Sequence, residues 1–368
     1  MRISGDYLML KAIRLFFMLK SLWAVLAALL VGAVLIVISG SNPLTAYQAL
    51  FTGAFFDYYG FATTLVKMSP ILLAGLAVLL PLRVGQFNIG AEGQIYLGAL
   101  FATVAALYLP EMPGWLHIPV CIVAGMLGGA LWGAIPGYLK AFHGINEVII
   151  TLLMNYIGID LVNYFVSGPM MAEGAPYPYS PEIRESLWLP ILMPRTDAHL
   201  GVAVGLAFAL ILIVVFRYTA FGFSLDTVGK NPVAARYAGI SVRRSIFLTM
   251  MLGGSLAGLA GTFEVLGLKY RLFHHFSAGY GFDGIVVAFL AAGSPVWVPA
   301  AAIFLSGLKA GANIMQRAVG VETTVVEAIK GLVVIFIAAG LAIRYNESFW
   351  ARILKRRRDA AEEMRRNA

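Results

Sequence analysis

The chain has one cysteine, Cys121, and five histidines in 368 residues. A lone cysteine excludes a disulfide framework and a cysteine-rich metal site, and it leaves the redox compartment unencoded. Charge is scarce too. Only 12% of the residues are Asp, Glu, Lys or Arg, against roughly a quarter in an average soluble domain. Signatures of chemistry are also missing: there is no G-x-x-x-x-G-K-[ST] loop to cradle nucleotide phosphates, no H-E-x-x-H and no G-x-S-x-G. An enzyme, a metal site and a bound cofactor are therefore not expected.

What is present is apolar. Hydrophobic residues make up 60% of the chain and the mean hydropathy is +0.82, too much to hide in the cores of two soluble domains. A membrane-spanning helix needs about 20 mostly apolar residues. Long apolar stretches predict spans at 22–40, 59–82, 87–109, 117–139, 148–168, 200–216, 245–268 and 325–343. The first is too long for a signal-peptide core and is followed by more spans, so it reads as a retained anchor. Residues 281–308 are too long for one helix and are broken at Gly293-Ser294-Pro295, where proline and its restricted predecessor disfavour continuous helix.

The formal charge of +8 raises the question of nucleic acid, which a soluble binder would meet with one basic face. Here the basic residues flank apolar runs instead. The N-terminus carries Arg2, Lys11, Arg14 and Lys20, the turns Arg83 and Lys140, the 217–244 loop five, and the tail from Arg344 eight, so 19 of the 27 sit where inside loops would be. Both termini are then cytoplasmic. The expected fold is an all-α, polytopic transmembrane helix bundle of about ten spans, or eight plus a re-entrant hairpin at 281–308. It divides into a cytoplasmic segment 1–21, a transmembrane domain 22–343 and a basic cytoplasmic tail 344–368. The run Lys355-Arg356-Arg357-Arg358 suits anionic lipid, and no nucleic-acid partner is expected.

Two connections are longer than a bundle needs. The outer loop 169–198 carries Pro176, Pro178, Pro181, Pro190 and Pro194 and predicts an ordered, non-helical cap, a docking surface or a plain connector. In the inner loop 217–244, Asn231 suits an N-cap, Pro232 the first helical position and Gly239 the end. They bracket a short helix with Arg236 and Tyr237, which either docks a soluble partner or simply turns the chain.

Gly125, Gly129, Gly133 and Gly137 recur every four residues, and Gly254 and Gly258 repeat that spacing. Small-xxx-small spacing predicts close helix packing rather than binding. Polar residues at apolar depth are rarer and carry a functional expectation. Phe87-Asn88-Ile89-Gly90-Ala91-Glu92-Gly93-Gln94 opens one span; Asn146-Glu147 opens another, with Asn155 further along it. Gly281-Phe282-Asp283-Gly284 repeats the Gly-x-acid-Gly of residues 90–93, with Glu92 expected at an inner span start and Asp283 at an outer one. Broken segments at matching places in two halves point to a transport site. For Glu92 and Glu147 a structural role, tying helices through hydrogen bonds, stands equally open.

Five runs taken in order resemble the membrane permease of bacterial ABC importers for nucleosides, within the simple-sugar and branched-chain amino-acid permease group. They are FNIGAEGQIYLGAL (87–100), GINEVIITLLMNYI (144–157), VGKNPVAARYAGISV (228–242), GGSLAGLAG (253–261) and GYGFDGIVVAFLAAGSP (279–295). The Asn-Ile-Gly-x-Glu-Gly-Gln form looks like the nucleoside branch. The resemblance implies a bacterial inner-membrane subunit that pairs with a second permease, as a heterodimer. Cytoplasmic ABC ATPases would power it, and a basic-membrane-protein type binding protein would deliver substrate from outside. It also implies that Asn231, Pro232, Ala234, Ala235, Arg236, Tyr237 and Gly239 form the coupling helix seated on the ATPase.

A neutral, flat nucleoside needs amide and carboxyl hydrogen bonds with aromatic contact. Asn88, Glu92, Gln94, Asn146, Glu147, Asn155 and Asp283 are the polar candidates for the pathway, and Phe87 and Tyr156 the rings. Alternatives are a sugar or branched-chain amino acid as cargo, or a stand-alone secondary transporter using Glu92 and Asp283 as ion sites.

Overall fold

The computed structural model describes residues 20–345. The segment before Lys20 and the basic tail after Tyr345, with their expected cytoplasmic and lipid contacts, lie outside the described residues. The chain forms two units, Met1–Pro43 with Thr324–Ala368, and Leu44–Thr323. In the first, α1 (Lys20–Ile38) and α13 (Thr323–Tyr345) match the predicted first and last spans.

The second unit is a helix bundle. It comprises α2 (Pro43–Phe55), α3 (Tyr58–Arg83), α4 (Ala91–Tyr108), α5 (Gly114–His143), α6 (Glu147–Ser167), α7 (Gly201–Tyr218), α8 (Ala220–Lys230), α9 (Pro232–Tyr237), α10 (Val242–Glu264), α11 (Tyr280–Leu290) and α12 (Val298–Val319). No strand occurs among the described residues; two isolated bridges, Tyr179 with Phe273 and Ile191 with His199, tie loops together. Among the described residues six helices, α3, α5, α6, α7, α10 with its π turn, and α12, are long and apolar enough to cross a membrane, and the α1–α2 pair is a seventh candidate.

The core is built on α3, α4 and α10. Every residue of α3 from Met68 to Pro81 is buried, as is α4 from Ala91 to Leu100. A helix that is apolar all round belongs inside a bundle. The small residues decide how close these helices come. A methyl group on Gly258 would stand 2.3 Å from the Gly125 carbonyl, one on Gly129 2.2 Å from the Gly254 carbonyl, and one on Gly98 2.2 Å from the Gly258 Cα. The two glycine rows therefore pack against each other and seat α4, α5 and α10 backbone to backbone, which is where a membrane bundle gains contact without a water-driven hydrophobic term.

Proline has a related use in α3. Pro81 has no N–H for the Ala77 carbonyl, and Gly253 of α10 packs against that carbonyl, where a methyl group would approach to 2.5 Å. By contrast, α5, α6 and α7 turn Leu131, Ile149, Leu153 and Leu210 outward.

Three local differences from expectation stand out. Helix α2, a region assigned no element, packs through Gly53 on Ile314 and through Leu50 on Gly311. The 217–244 loop holds α8 as well as the short capped helix, because Thr219 caps α8 by accepting from Gly222 N. Residues 281–308 do not hold two helices of equal length: α11 has 11 residues, whereas α12 has 22 and runs on to Val319. The break spans 291–297, with Ala292 and Gly293 both at positive φ.

The ends of the bundle differ in character. At one end the Pro-rich segment 169–198 folds over residues 266–274: Ser180 N donates to Leu272 O, Ile183 N to Tyr270 O and Leu189 N to Leu266 O. Trp188 stacks on Tyr270 at 3.9 Å. Burial, reinforced by the Asp197 carboxylate, pushes the Tyr270 hydroxyl above its usual pKa. Arg184 also pairs with Glu111 at 2.9 Å. The segment is thus an ordered cap with one short 3-10 turn, Glu185–Leu187. At the other end Val84, Ala141, Leu225, Val228, Ala235 and Ile246 form a separate apolar core beneath α8 and α9.

Candidate functional site

The segment 87–90 has no regular secondary structure before α4 begins, so its backbone polar groups need partners at apolar depth. Side chains supply them. Asn155 of α6 accepts from Gly93 N at 2.8 Å and donates to Ile89 O at 2.8 Å. Thr151, one turn earlier, accepts from Ile89 N at 3.3 Å. Asn88 and Gln94 exchange amide hydrogen bonds at 3.0 and 3.2 Å, and Asn88 also accepts from Gly90 N at 3.0 Å. Asn88, Gln94 and Asn155 are all buried. Close approach requires glycine here, since a methyl group on Gly93 would meet the Asn155 Cα at 3.0 Å.

The two Gly-x-acid-Gly motifs meet. Glu92 accepts from Gly281 N at 2.6 Å, and a methyl group on Gly281 would sit 2.2 Å from Glu92 N. This corrects the expectation that the two acids lie at opposite faces: the N-termini of α4 and α11 abut. From that junction α4 leads toward the Pro-rich end and α11 toward the end holding Arg83. Two positive helix ends so close favour a carboxylate between them, and Glu92 serves both helices. Asp283 faces another way and pairs with Lys309 of α12 at 2.5 Å, both side chains being buried. Lys309 also donates to Ala278 O at 3.0 Å, and its ammonium lies 5.2 Å from the Tyr280 ring centre.

The remaining candidates are apart from this junction. Asn146 is the exposed N-cap of α6, accepting from Val148 N at 2.9 Å, and Glu147 pairs with Lys140 at 2.7 Å. Phe87 is partly exposed, 6.1 Å from the Phe289 ring, and Tyr156 points outward.

Among the charged groups passed over inside predicted spans are Lys67 and Glu264. Lys67 of α3 is half-buried and makes no hydrogen bond or ion pair among the described residues, while Glu264 at the end of α10 is fully buried with neither oxygen hydrogen-bonded. The Tyr280 hydroxyl lies beside Glu264, outside regular hydrogen-bond geometry, and Lys269 and Lys67 are its charged neighbours. The rule that an ionisable residue inside a span is functional by default would have found both. Next to them is a cavity of about 420 Å³, lined by Lys67, Tyr280, Tyr59, Arg195 and Asp197 among others.

At the opposite end, Asn231 caps α9 by accepting from Val233 N and Ala234 N, both at 3.0 Å, and Gly239 takes the left-handed conformation with φ +79. The helix spans Pro232–Tyr237, with Ala238 at its C-cap. Ala235 is its buried foot, whereas Val233, Arg236 and Tyr237 face outward, Tyr237 being 91% exposed. Beneath it Arg83 joins three elements. Its guanidinium pairs with Asp226 of α8 at 2.7 Å, donates to the Gly293 carbonyl after α11 at 3.3 Å, and lies 4.7 Å from the Phe216 ring centre of α7.

Residues 60–338 match the family described as the branched-chain amino acid transport system permease component. The chain belongs to that permease family. A guanosine ABC transporter permease protein of Bacillus subtilis is 38% identical over 338 residues, covering 90% of this chain and 96% of the relative. A glucose ABC transporter permease protein of Haloferax volcanii is 36% identical over 85% of each chain. A nucleoside ABC transporter permease protein of Lactococcus lactis is 31% identical, over 88% of this chain and 92% of the relative. The permease is thus a transport component, not itself an enzyme.

Proposed function

We propose that the permease forms the membrane pathway of a nucleoside ABC importer, with ATP hydrolysis on cytoplasmic partner subunits. The observation that carries this is the pairing of a capped, outward-facing helix α9 with a polar junction buried where α4 and α11 meet. The two nucleoside-type relatives, covered along most of their length, support nucleosides as cargo over the sugar named for the third.

In this proposal the Pro-rich end faces outside a bacterial inner membrane and receives a binding protein, while α8, α9 and both termini face the cytoplasm. The clustering of Arg83, Lys140, Lys230, Arg236, Arg243 and Arg244 at the α9 end supports that sidedness. About ten crossings then require α4 and α11 to count as spans in addition to the six long helices and the terminal pair.

A second permease copy or relative covers part of the outward apolar surface of α5, α6 and α7, with lipid on the rest. Asn88, Gln94 and Asn155 frame the pathway by holding residues 87–90, and Glu92, Asp283 and Phe87 border the moving junction. Asn146 and Glu147 set the start of α6 at the cytoplasmic side. Asn231, Pro232, Ala234, Ala235, Arg236, Tyr237 and Gly239 form the ATPase-coupling element.

Labelled guanosine uptake into right-side-out vesicles that carry the co-expressed ATPase, are loaded with ATP and are supplied with the binding protein tests this. Uptake should require ATP and vanish when the ATPase is omitted. Uptake by the permease alone, driven by an ion gradient, would establish the secondary-carrier alternative.

A further inference from the structure

Among the outward faces of α5, α6 and α7, that of α6 differs in its chemistry. On α5 the exposed face carries Leu127 and Leu131, and on α7 Leu210 and Val214. On α6 every fourth residue, Leu152, Tyr156, Asp160 and Tyr164, is exposed, so these four form one stripe with a carboxyl between two phenol rings. The Asp160 side chain makes no hydrogen bond or ion pair among the described residues. Its depth follows from the helix. Since α6 runs from Glu147 to Ser167, the rise per residue places Asp160 about 20 Å from the first end and about 10 Å from the second. That lies inside a hydrocarbon core about 30 Å thick. Lysine and arginine reach the interface on long stems; aspartate has no such stem. Lipid is thus a poor cover for Asp160, and ionisable residues at this depth border a water-filled cavity or another chain. An outer face can border water there only if a further wall keeps lipid away.

We propose that this stripe of α6 faces a water-filled passage whose other wall is a second permease chain, and that Asp160 meets the cargo there. An ionised carboxylate only accepts hydrogen bonds, so the cargo offers it hydroxyl or amino donors. Tyr156 and Tyr164, one turn to either side, add ring faces and hydroxyl groups. The apolar faces of α5 and α7 need no such wall, which leaves them to lipid. The opposite face of α6 carries Thr151 and Asn155, which hold residues 87–90, so a single helix separates the passage from the segment that leads into the Glu92 junction. The inference rests on the importer reading above. It adds which outer face the cargo passes and the group that meets it.

The test is thiol labelling of cysteine variants in the complete permease–ATPase complex in lipid nanodiscs, during ATP turnover. Wild type, whose Cys121 is buried, serves as the blank. Asp160→Cys and Tyr156→Cys should react with a charged, membrane-impermeant methanethiosulfonate about tenfold or more faster than Leu210→Cys on α7, since the reactive thiolate forms in water and not in lipid. In the vesicle assay above, Asp160→Leu should cut guanosine uptake about tenfold or more, the size of a lost charge-assisted hydrogen bond, with the ATPase recovered as in wild type. Asp160→Asn keeps the size and an acceptor oxygen and should retain more uptake than Asp160→Leu. If the charged reagent labels Asp160→Cys and Tyr156→Cys no faster than Leu210→Cys, whether lipid or a dry protein contact covers them, the passage is overturned. Wild-type uptake by Asp160→Leu would overturn it as well. A wild-type complex that takes up no guanosine with ATP defeats the nucleoside-importer reading, whereas wild-type uptake with unlabelled variants defeats the passage alone.

Discussion

Glu92 shows how much one side chain can hold. It belongs to α4, yet its hydrogen bond goes to Gly281 N, 189 residues away. Removing it leaves a buried backbone N–H unpaired between two helix N-termini, a loss of about 1–3 kcal/mol. Glu92→Ala is therefore expected to abolish uptake while the complex still assembles, and to lower the thermal midpoint of the purified complex. Glu92→Gln keeps an acceptor oxygen and should recover much of the midpoint. Normal uptake by the alanine variant would remove the junction from the pathway. The hydrogen bonds of Asn88, Gln94 and Asn155 are made to protein groups, so their first task is to let a non-helical segment exist inside the bundle.

Among the elements, α11 is held at both ends. It is only 11 residues long, starts at the Glu92 junction and ends at a turn whose Gly293 carbonyl is held by Arg83. The same guanidinium grips Asp226 on α8, next to α9 in the chain. A displacement of α8 and α9 therefore reaches α11 through one planar, multi-donor side chain, a geometry lysine does not reproduce. Arg83→Gln should leave ATP hydrolysis and copurification with the ATPase within about twofold of wild type but cut nucleoside uptake about tenfold or more, the result of losing a charge-assisted contact of 1.5–3 kcal/mol. A combined Arg83→Asp, Asp226→Arg exchange should restore part of the uptake if the ion pair is what transmits. Uptake unaffected by Arg83→Gln would show that force passes elsewhere. Gly98, Gly129 and Gly258 likewise meet with no room for a methyl group, so a larger side chain at any of them would push α4, α5 and α10 apart.

For the molecule as a whole, the proposal assigns the outer faces of α5, α6 and α7 to another permease chain and lipid, and the exposed face of α9 to the ATPase. Exchanging the charge of α9 tests the second of these. Arg236→Glu should weaken recovery of the ATPase with the permease and reduce uptake in proportion, with the permease itself folding normally because Arg236 is exposed. Unchanged recovery and uptake together would argue that α9 merely turns the chain.

Hydropathy, charge placement, the Asn231 cap and the glycine spacing were legible in the amino-acid sequence because each is a local property: a run of apolar side chains, a cluster of cations, a residue type at a helix end. They determined an all-helical membrane protein with two unlike ends and close-packed helices. The break after α11 was less legible, since α12 continues past the expected end at residue 308, and the depth of Lys67 and Glu264 was hidden by the apolar runs around them. What only the tertiary structure decided is which distant groups meet. Nothing in the sequence says that Glu92 caps α11, that Asn155 reads the Ile89 backbone, or that Arg83 spans Asp226 and Gly293. Backbone N–H and C=O groups are the same at every position and carry no sequence mark, so their pairing with a side chain is settled only when the folded bundle brings the two together away from water.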